Sequence, residues 1–156
     1  MEIIIRRATL QNIDVLMKWR MEVLHEVFSL SPETDTGMLE KSNRLYYEQS
    51  LPCDHHIACF ACDGEEIVGC GGICIYQEMP SPDNPTGWCG YLMNIYTTRF
   101  YRNRGIGKKT VQWLVEQARQ RGITKVYLET SDSARGMYLG MGFEAMPDLM
   151  RLTENC

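Results

Sequence analysis

Arg99, Arg102, Arg104, Lys108 and Lys109 fall within eleven positions, RFYRNRGIGKK (residues 99–109), with no acidic residue among them. Elsewhere the chain holds eleven basic residues against twenty acidic ones, so positive charge is concentrated in one place. That place joins a strand-like run, WCGYLMNIYT (88–97), to a helix-like run opening at Gly105. Unpaired backbone N–H groups and the helix dipole favour an anion at such a junction, and Gly105 and Gly107 let the backbone close around it. The chemistry to expect is the holding of a phosphate.

Two familiar phosphate loops do not fit. A G-x-x-x-x-G-K-[ST] loop ending on Gly107 and Lys108 would need glycine where Arg102 stands and Ser or Thr where Lys109 stands. A G-x-G-x-x-G pattern beginning at Gly105 and Gly107 meets Thr110 at its third glycine, and the preceding strands read as an antiparallel meander. What fits is R-x-x-G-x-G, at Arg102, Gly105 and Gly107, directly after Asn94-Ile95-Tyr96-Thr97. Here the chain resembles the GCN5-related N-acetyltransferase (GNAT) superfamily. The resemblance implies that Ile95, Tyr96 and Thr97 line the pantetheine arm of acetyl-coenzyme A, and that Arg102, Asn103, Arg104, Gly105, Ile106, Gly107, Lys108 and Lys109 hold its phosphates. Downstream, Ser131 to Phe143 (SDSARGMYLGMGF) resembles the family pattern N-x-x-A-x-x-x-Y-x-x-x-G-F, with Ala134, Tyr138, Gly142 and Phe143 in register. Ser131 stands where the family often has Asn, implying a weaker polar contact to the coenzyme, and Arg99 replaces a frequent proline. The resemblance covers roughly residues 3–145, and the two motifs together make it specific.

Acyl transfer from a thioester to an amine needs a neutral amine, stabilisation of developing negative charge on oxygen, and a proton or donor for the departing sulfur. By resemblance Tyr138 is the acid, and a backbone N–H around Tyr96 polarises the thioester oxygen. Taken alone, Ala134, Met137, Tyr138 and Met141 share a helical face that core packing explains better. Many relatives carry a carboxylate base on the strand before the loop; residues 88–97 have none. The base is then a water chain or a group from the first two helices, among which Glu22, His25, Glu26 and Glu48 are candidates and Glu26 is the one expected. Arg20 interrupts the apolar face of Ile13, Leu16, Met17 and Leu24, as a surface arginine lying along its own stem or as a contact to the acceptor or an internal carboxylate. His55 and His56 read as loop residues before a strand.

These residues need a scaffold, and the hydrophobic pattern supplies one. Residues 3–7 read as a strand, and Thr9 caps a helix over about 10–28. Leu39, Leu45, Tyr46 and Leu51 suggest a second helix before Pro52. His56 to Tyr76 gives two antiparallel strands around Asp63-Gly64. Residues 77–87, with three prolines, form a loop that the resemblance places at the acceptor pocket. A strand over about 88–97, a helix over 105–121, a strand at 126–130, a short helix ending at Gly142, and one or two closing strands within 143–152 complete the chain. The expected fold is a single GNAT-like domain over residues 1–156. It is a three-layer α/β (α+β) architecture with a mixed central sheet, helices on both faces and the order β α α β β β α β α β.

Composition narrows the function. With 156 residues, a net charge of −4, 44% apolar and 23% charged residues, the chain is one ordinary globular domain. Its acidity argues against general nucleic-acid binding. The apolar run at Ile3–Ile5 is too short for a secretion signal, and no stretch reaches the roughly 20 residues of a membrane span. The seven cysteines are odd in number and lie mostly in strand-like runs. They read as reduced thiols in a cytoplasmic protein, with neither disulfide nor metal at Cys59-x-x-Cys62. The resulting reading is an acetyltransferase without metal, moving an acetyl group from acetyl-coenzyme A to a primary amine in a ternary complex. The acceptor is a small molecule or a peptide, with a weak electrostatic preference for a cationic one. Family relatives are often dimers, so a homodimer is allowed. The rival readings are a coenzyme A-binding module without turnover and a nucleotide-binding regulatory domain.

Overall fold

The computed structural model describes residues 1–154; Cys156, counted above among the thiols, lies outside the described residues. The chain enters on strand β1 (Ile3–Ala8). The N–H of Gln11 donates to the Thr9 hydroxyl at 3.3 Å and the N–H of Thr9 donates to Asn12 Oδ1 at 2.9 Å. This reciprocal cap starts a short 3-10 turn, Leu10–Asn12, that runs into α1 (Ile13–Val27). Helix α2 (Gly37–Ser50), strands β2 (His56–Asp63), β3 (Glu66–Gln77) and β4 (Trp88–Thr97), helix α3 (Ile106–Gln120), strand β5 (Lys125–Leu128) and helix α4 (Asp132–Gly140) follow. The β2–β3 hairpin turns on Gly64 and Glu65, with Gly64 at φ 61° and Asp63 paired with Glu66.

The described residues form one sheet in the order β1-β2-β3-β4-β5. Neighbours are antiparallel except β4 and β5, whose parallel pairing requires the crossover that α3 supplies. The described order is therefore β α α β β β α β α, one strand short of the expectation. No closing strand forms within 143–152. Pro147 has no N–H to give a ladder, and Leu149, Met150 and Leu152 are 63%, 98% and 89% exposed, so this segment has no buried apolar face to dock it beside β5.

The sheet is the middle of three layers. Leu16, Met17, Trp19 and Val23 of α1 and Tyr47 of α2 pack on one face against Ala58, Phe60 and Cys62. On the other face, Val111, Leu114 and Ala118 of α3 and Tyr138 of α4 pack against Ile57, Cys59, Ile73 and Leu92. Strand β2 is thus buried on both sides, which is why it reads as a continuous apolar run rather than an alternating one. The same alternation separates Cys59 from Cys62. Three residues apart on a strand, they face opposite layers and cannot share a bond or a ligand. Cys53, Cys59, Cys62, Cys70, Cys74 and Cys89 are free thiols, and four of them (59, 62, 70 and 89) are buried.

Gly71 sets how closely α3 approaches the sheet. A Cβ there would lie 2.7 Å from Thr110 Cγ2, 2.9 Å from Ile95 Cδ1 and 3.0 Å from Leu114 Cδ1. Since α3 carries the basic loop at its N-terminus, this contact positions the candidate site. Gly71→Ala is expected to destabilise the protein by about 1–3 kcal/mol through overpacking. Gly136→Ala, in the interior of α4 with nothing within 4 Å of the added carbon, is expected to be neutral or stabilising by up to about 1 kcal/mol. Paired denaturant melts check both signs.

Candidate functional site

Strand β4 pairs with β3 along its length but with β5 only from Cys89↔Lys125 to Leu92↔Leu128. Beyond Leu92 it runs on to Thr97 while β5 ends at Leu128, so the two strands part and one edge of β4 loses its partner. At the parting, the β3–β4 register shifts: Gly72 faces Met93 and Cys70 faces Tyr96. The extra residue is accommodated at Asn94, which sits in the left-handed region at φ 59°, a conformation Asn tolerates better than most side chains. Ile95, Tyr96 and Thr97 therefore lie on a strand end whose β5-side edge has no strand partner.

That end leads through a 3-10 turn, Arg99–Tyr101, into the basic loop. Asn103 at φ 61° and Gly105 at φ 76° carry the chain round to α3, where the first-turn N–H groups have no intrahelical acceptor. Nothing lies within 4 Å of where a Cβ on Gly105 would be, leaving the backbone open to a ligand. Ile106 is buried with Ile3, Ala61 and Val68 and anchors the helix start. Gly107 faces α4: Met137 Sδ and Thr97 Oγ1 are 3.7 and 4.0 Å from the position of a Cβ there.

The cations of the loop are held in different ways. Lys108 is exposed and has no protein partner among the described residues. Arg104 lies over the Tyr101 ring, 5.3 Å from its centroid. The Lys109 ammonium donates to the Ile3 carbonyl, tying α3 to β1. Arg102 donates from Nε to the Thr97 carbonyl at 2.9 Å and from Nη2 to Glu26 Oε1 at 2.6 Å, with its guanidinium 5.4 Å from the Tyr96 ring centroid. Tyr96 in turn donates its hydroxyl proton to Glu26 Oε2. The Tyr96 hydrogen bond first, and Arg102 second, hold the Glu26 carboxyl below its ordinary range. Burial and then the Glu26 charge push the Tyr96 phenol up to about 12. Glu26 is thus drawn into the loop as a doubly engaged anion, a weak proton acceptor that latches α1 to the loop. The open N–H groups, Lys108 and the bare approach at Gly105 suit a phosphate-bearing ligand.

Tyr138 comes from α4, its ring edge-on to Phe143 at 5.5 Å. It is mostly buried, its hydroxyl has no protein partner among the described residues, and burial raises its pKa so that the phenol keeps its proton at neutral pH. Ser131 stands at the N-cap of α4 without capping it; its hydroxyl lies 3.1 Å from that of Ser133. Among the described residues no group of three or more His, Cys, Asp or Glu is placed to hold a metal ion.

A cavity of about 350 Å³ opens beside Asn94, with Arg20, Tyr46, His56 and Tyr91 in its wall. Loop 77–87 lines none of it; its Asn84 is tied to the start of β4, Nδ2 donating to the Trp88 carbonyl at 3.1 Å. The wall of this cavity comes from α1, α2 and the sheet. Two readings change. His56 is 3% exposed rather than a loop residue, and Arg20 is a half-buried cavity residue rather than a surface one. Asn94 and the cavity tyrosines went unread in the sequence. For Asn94 a signal existed, since Asn within a strand marks a departure from regular pairing; for Tyr46 and Tyr91 none did.

The family model described as "Acetyltransferase (GNAT) family" matches residues 17–143. N-acetyltransferase 8B of Rattus norvegicus is 36% identical over 84 residues, a match spanning 52% of this chain but only 36% of the rat protein. The uncharacterized N-acetyltransferase YjgM of Escherichia coli (strain K12) is 29% identical over 144 residues, 90% of this chain and 81% of that one. Among solved structures, a predicted acetyltransferase of Clostridium acetobutylicum, crystallised with acetyl-CoA, superposes with a TM-score of 0.86 at 26% identity, covering 97% of this chain and 96% of that one.

His56 gives the cavity a pH signature. Burial lowers its pKa to about 4, and its Nδ1 lies 2.7 Å from the Tyr46 hydroxyl. The unfolded chain takes up this proton near 6.5, the folded chain only near 4, so the stability His56 contributes is fully present above about 6.5 and is lost as pH falls toward 4. The expected loss at pH 5 is about 2 kcal/mol. Denaturant melts at about pH 7 and about pH 5 should show wild type losing more stability than His56→Gln by roughly this amount.

Proposed function

Because the chain belongs to the acetyltransferase (GNAT) family, we propose that it is an N-acetyltransferase that moves an acetyl group from acetyl-CoA to a primary amine by direct transfer in a ternary complex. The observation that carries this reading is continuity. The unpartnered edge of β4 at residues 93–97 runs straight into a glycine-opened, cation-bearing helix start, with Tyr138 on the neighbouring helix. The Clostridium acetobutylicum structure, similar along nearly the whole chain, contains acetyl-CoA and supports the choice of acyl donor.

Acetyl-CoA supplies the activated acetyl thioester; the protein supplies position and protons. Backbone groups of Ile95, Tyr96 and Thr97 pair with the pantetheine arm, as a bare strand edge pairs with any extended chain. The N–H groups at the start of α3, with Lys108 and Arg104, bind the phosphates, while Arg102 and Lys109 fix the loop against β4 and β1. A β4 N–H near Tyr96 polarises the thioester oxygen. Tyr138, protonated and without a protein partner for its hydroxyl, gives its proton to the departing sulfur. Glu26, with its lowered pKa, acts as the latch of the loop rather than as a strong base, and water carries the proton from the amine. Ser131 adds a polar contact to the coenzyme, and the activity is carried out by a soluble cytoplasmic protein without metal.

Calorimetric titration with acetyl-CoA and, separately, ATP should give micromolar binding of acetyl-CoA and much weaker binding of ATP, and free thiol should be released when an amine acceptor is added. Binding without release across amine pools would replace the enzyme with a coenzyme A-binding module, and preference for ATP would point to a nucleotide domain. In a protein that turns over, Tyr138→Phe should lower kcat by about 10²–10⁴-fold while leaving acetyl-CoA affinity within a few-fold. Equal kcat in the two proteins would remove Tyr138 from the mechanism.

A further inference from the structure

Arg20 stands in the cavity wall without a counter-charge. Its Nε donates to Asn43 Oδ1 at 2.9 Å and its Nη1 to Asn94 Oδ1 at 3.0 Å, both neutral amides. Among the described residues no carboxylate lies within 4.0 Å of it. A guanidinium has five N–H donors in a planar fork, so the Nη2 end is left without a protein acceptor. None of the ten residues lining the cavity is acidic. Glu22, whose charge acts on the core residue Cys70, and Glu129, whose charge acts on the cavity residue Tyr91, lie outside the lining, are exposed, and neither pairs with Arg20. A half-buried charge held by two neutral amides in an otherwise apolar, aromatic cavity is arranged for a partner that arrives from solution.

We infer that Arg20 is the anchor for a carboxylate on the acetyl acceptor, and that the acceptor is an amine carrying this carboxylate close to its nitrogen, of the α-amino acid type, with an apolar or aromatic side chain. The inference rests on the acetyl-transfer reading for the identity of the amine as acceptor. Its geometry comes from Asn94. The residue that accepts from Arg20 is the bulge residue of β4, immediately before Ile95 on the free edge assigned above to the acyl donor. An anion on Nη2 therefore sits next to the reacting end of the donor, so the amine and the anion must be near neighbours in the acceptor. Tyr46, Tyr91 and Met93 stand in the wall and match an apolar side chain. One guanidinium balances one negative charge, and the lining holds no Lys and no second Arg, which favours a monoanionic carboxylate over a dianionic phosphate. His56 is neutral here and leaves Arg20 as the cavity's one cation among the described residues. The acidic chain still favours the positively charged amine end of such a zwitterion.

The test uses the full chain with acetyl-CoA and matched acceptor sets: L-phenylalanine, L-leucine and L-methionine, their carboxamides, and the corresponding decarboxylated amines. Thiol release is expected to show kcat/KM for the free acids at least about ten-fold above the amides and amines, a difference worth roughly 1.4 kcal/mol. Arg20→Gln should raise KM for the acids by about 10–100-fold, flattening this preference, and Arg20→Lys should restore part of it. Equal or greater kcat/KM for amides and amines would overturn the inference while leaving acetyl transfer intact. A preference for the acids that persists in Arg20→Gln would overturn it as well. Where Arg20→Gln fails to fold, the acid-against-amide comparison on wild type decides alone. Direct calorimetric binding of L-phenylalanine and L-phenylalaninamide to the protein without acetyl-CoA separates the two ideas. Tighter binding of the acid supports the Arg20 site even if no thiol is released, and no discrimination overturns it.

Discussion

A β-strand cannot lose its neighbour without leaving peptide groups to be satisfied some other way, and the design of this protein follows from where that loss occurs. β4 is paired along its β3 side on both flanks of the bulge at Asn94, yet β5 accompanies it for only four residues. The bulge at Asn94 sets the kink, Gly71 lets α3 close on the sheet just there, and α3 delivers its helix start to the end of the same strand. An extended chain that needs backbone partners and carries phosphates at one end is the ligand these features jointly fit.

Electrostatics divides the site into a settled part and an open part. Around the loop, Glu26 takes up Arg102 and the Tyr96 hydroxyl, and Lys109 is occupied by the Ile3 carbonyl, so much of the local charge is spent on holding elements in register. These are partly exposed pairs, whose value lies more in geometry than in stability. Lys108 and the backbone N–H groups remain free for a ligand. On the other side of Asn94, Arg20 is held by amides alone. The bulge residue therefore stands between the glycine-opened loop and the Arg20 cavity.

Much of the fold was legible because it rests on local rules: the Thr9 cap, the Gly64 turn, the apolar runs of β2 and β3, and the helix start after Gly105 all fall where the sequence puts them. The readings that changed depended on distant contacts. A buried His56 looks like a loop histidine until Tyr46 and Tyr47 of α2 are packed over it. Glu26 reads as a candidate base on the first helix until Arg102, 76 positions away, engages its carboxylate. The closing strand was read from apolar residues in 143–152, but residue type alone carries no information on whether a partner edge will accept them. Arg20 was visible as an anomaly on an apolar face, yet only the cavity around it gave the anomaly a direction.

The cysteines carry a consequence of their own. Cys62 and Cys70 are shielded by the layer of α1 and α2, Cys59 by the layer of α3, and Cys53 is exposed. With no disulfide among the described residues, Cys59, Cys62 and Cys70 become reactive only when their covering layer lifts. The chain thus holds a graded set of internal clocks: a small alkylating reagent would mark Cys53 at once and the others at the rate of local opening. Mass spectrometry of the tagged positions would resolve whether the two helical layers detach from the sheet separately or together.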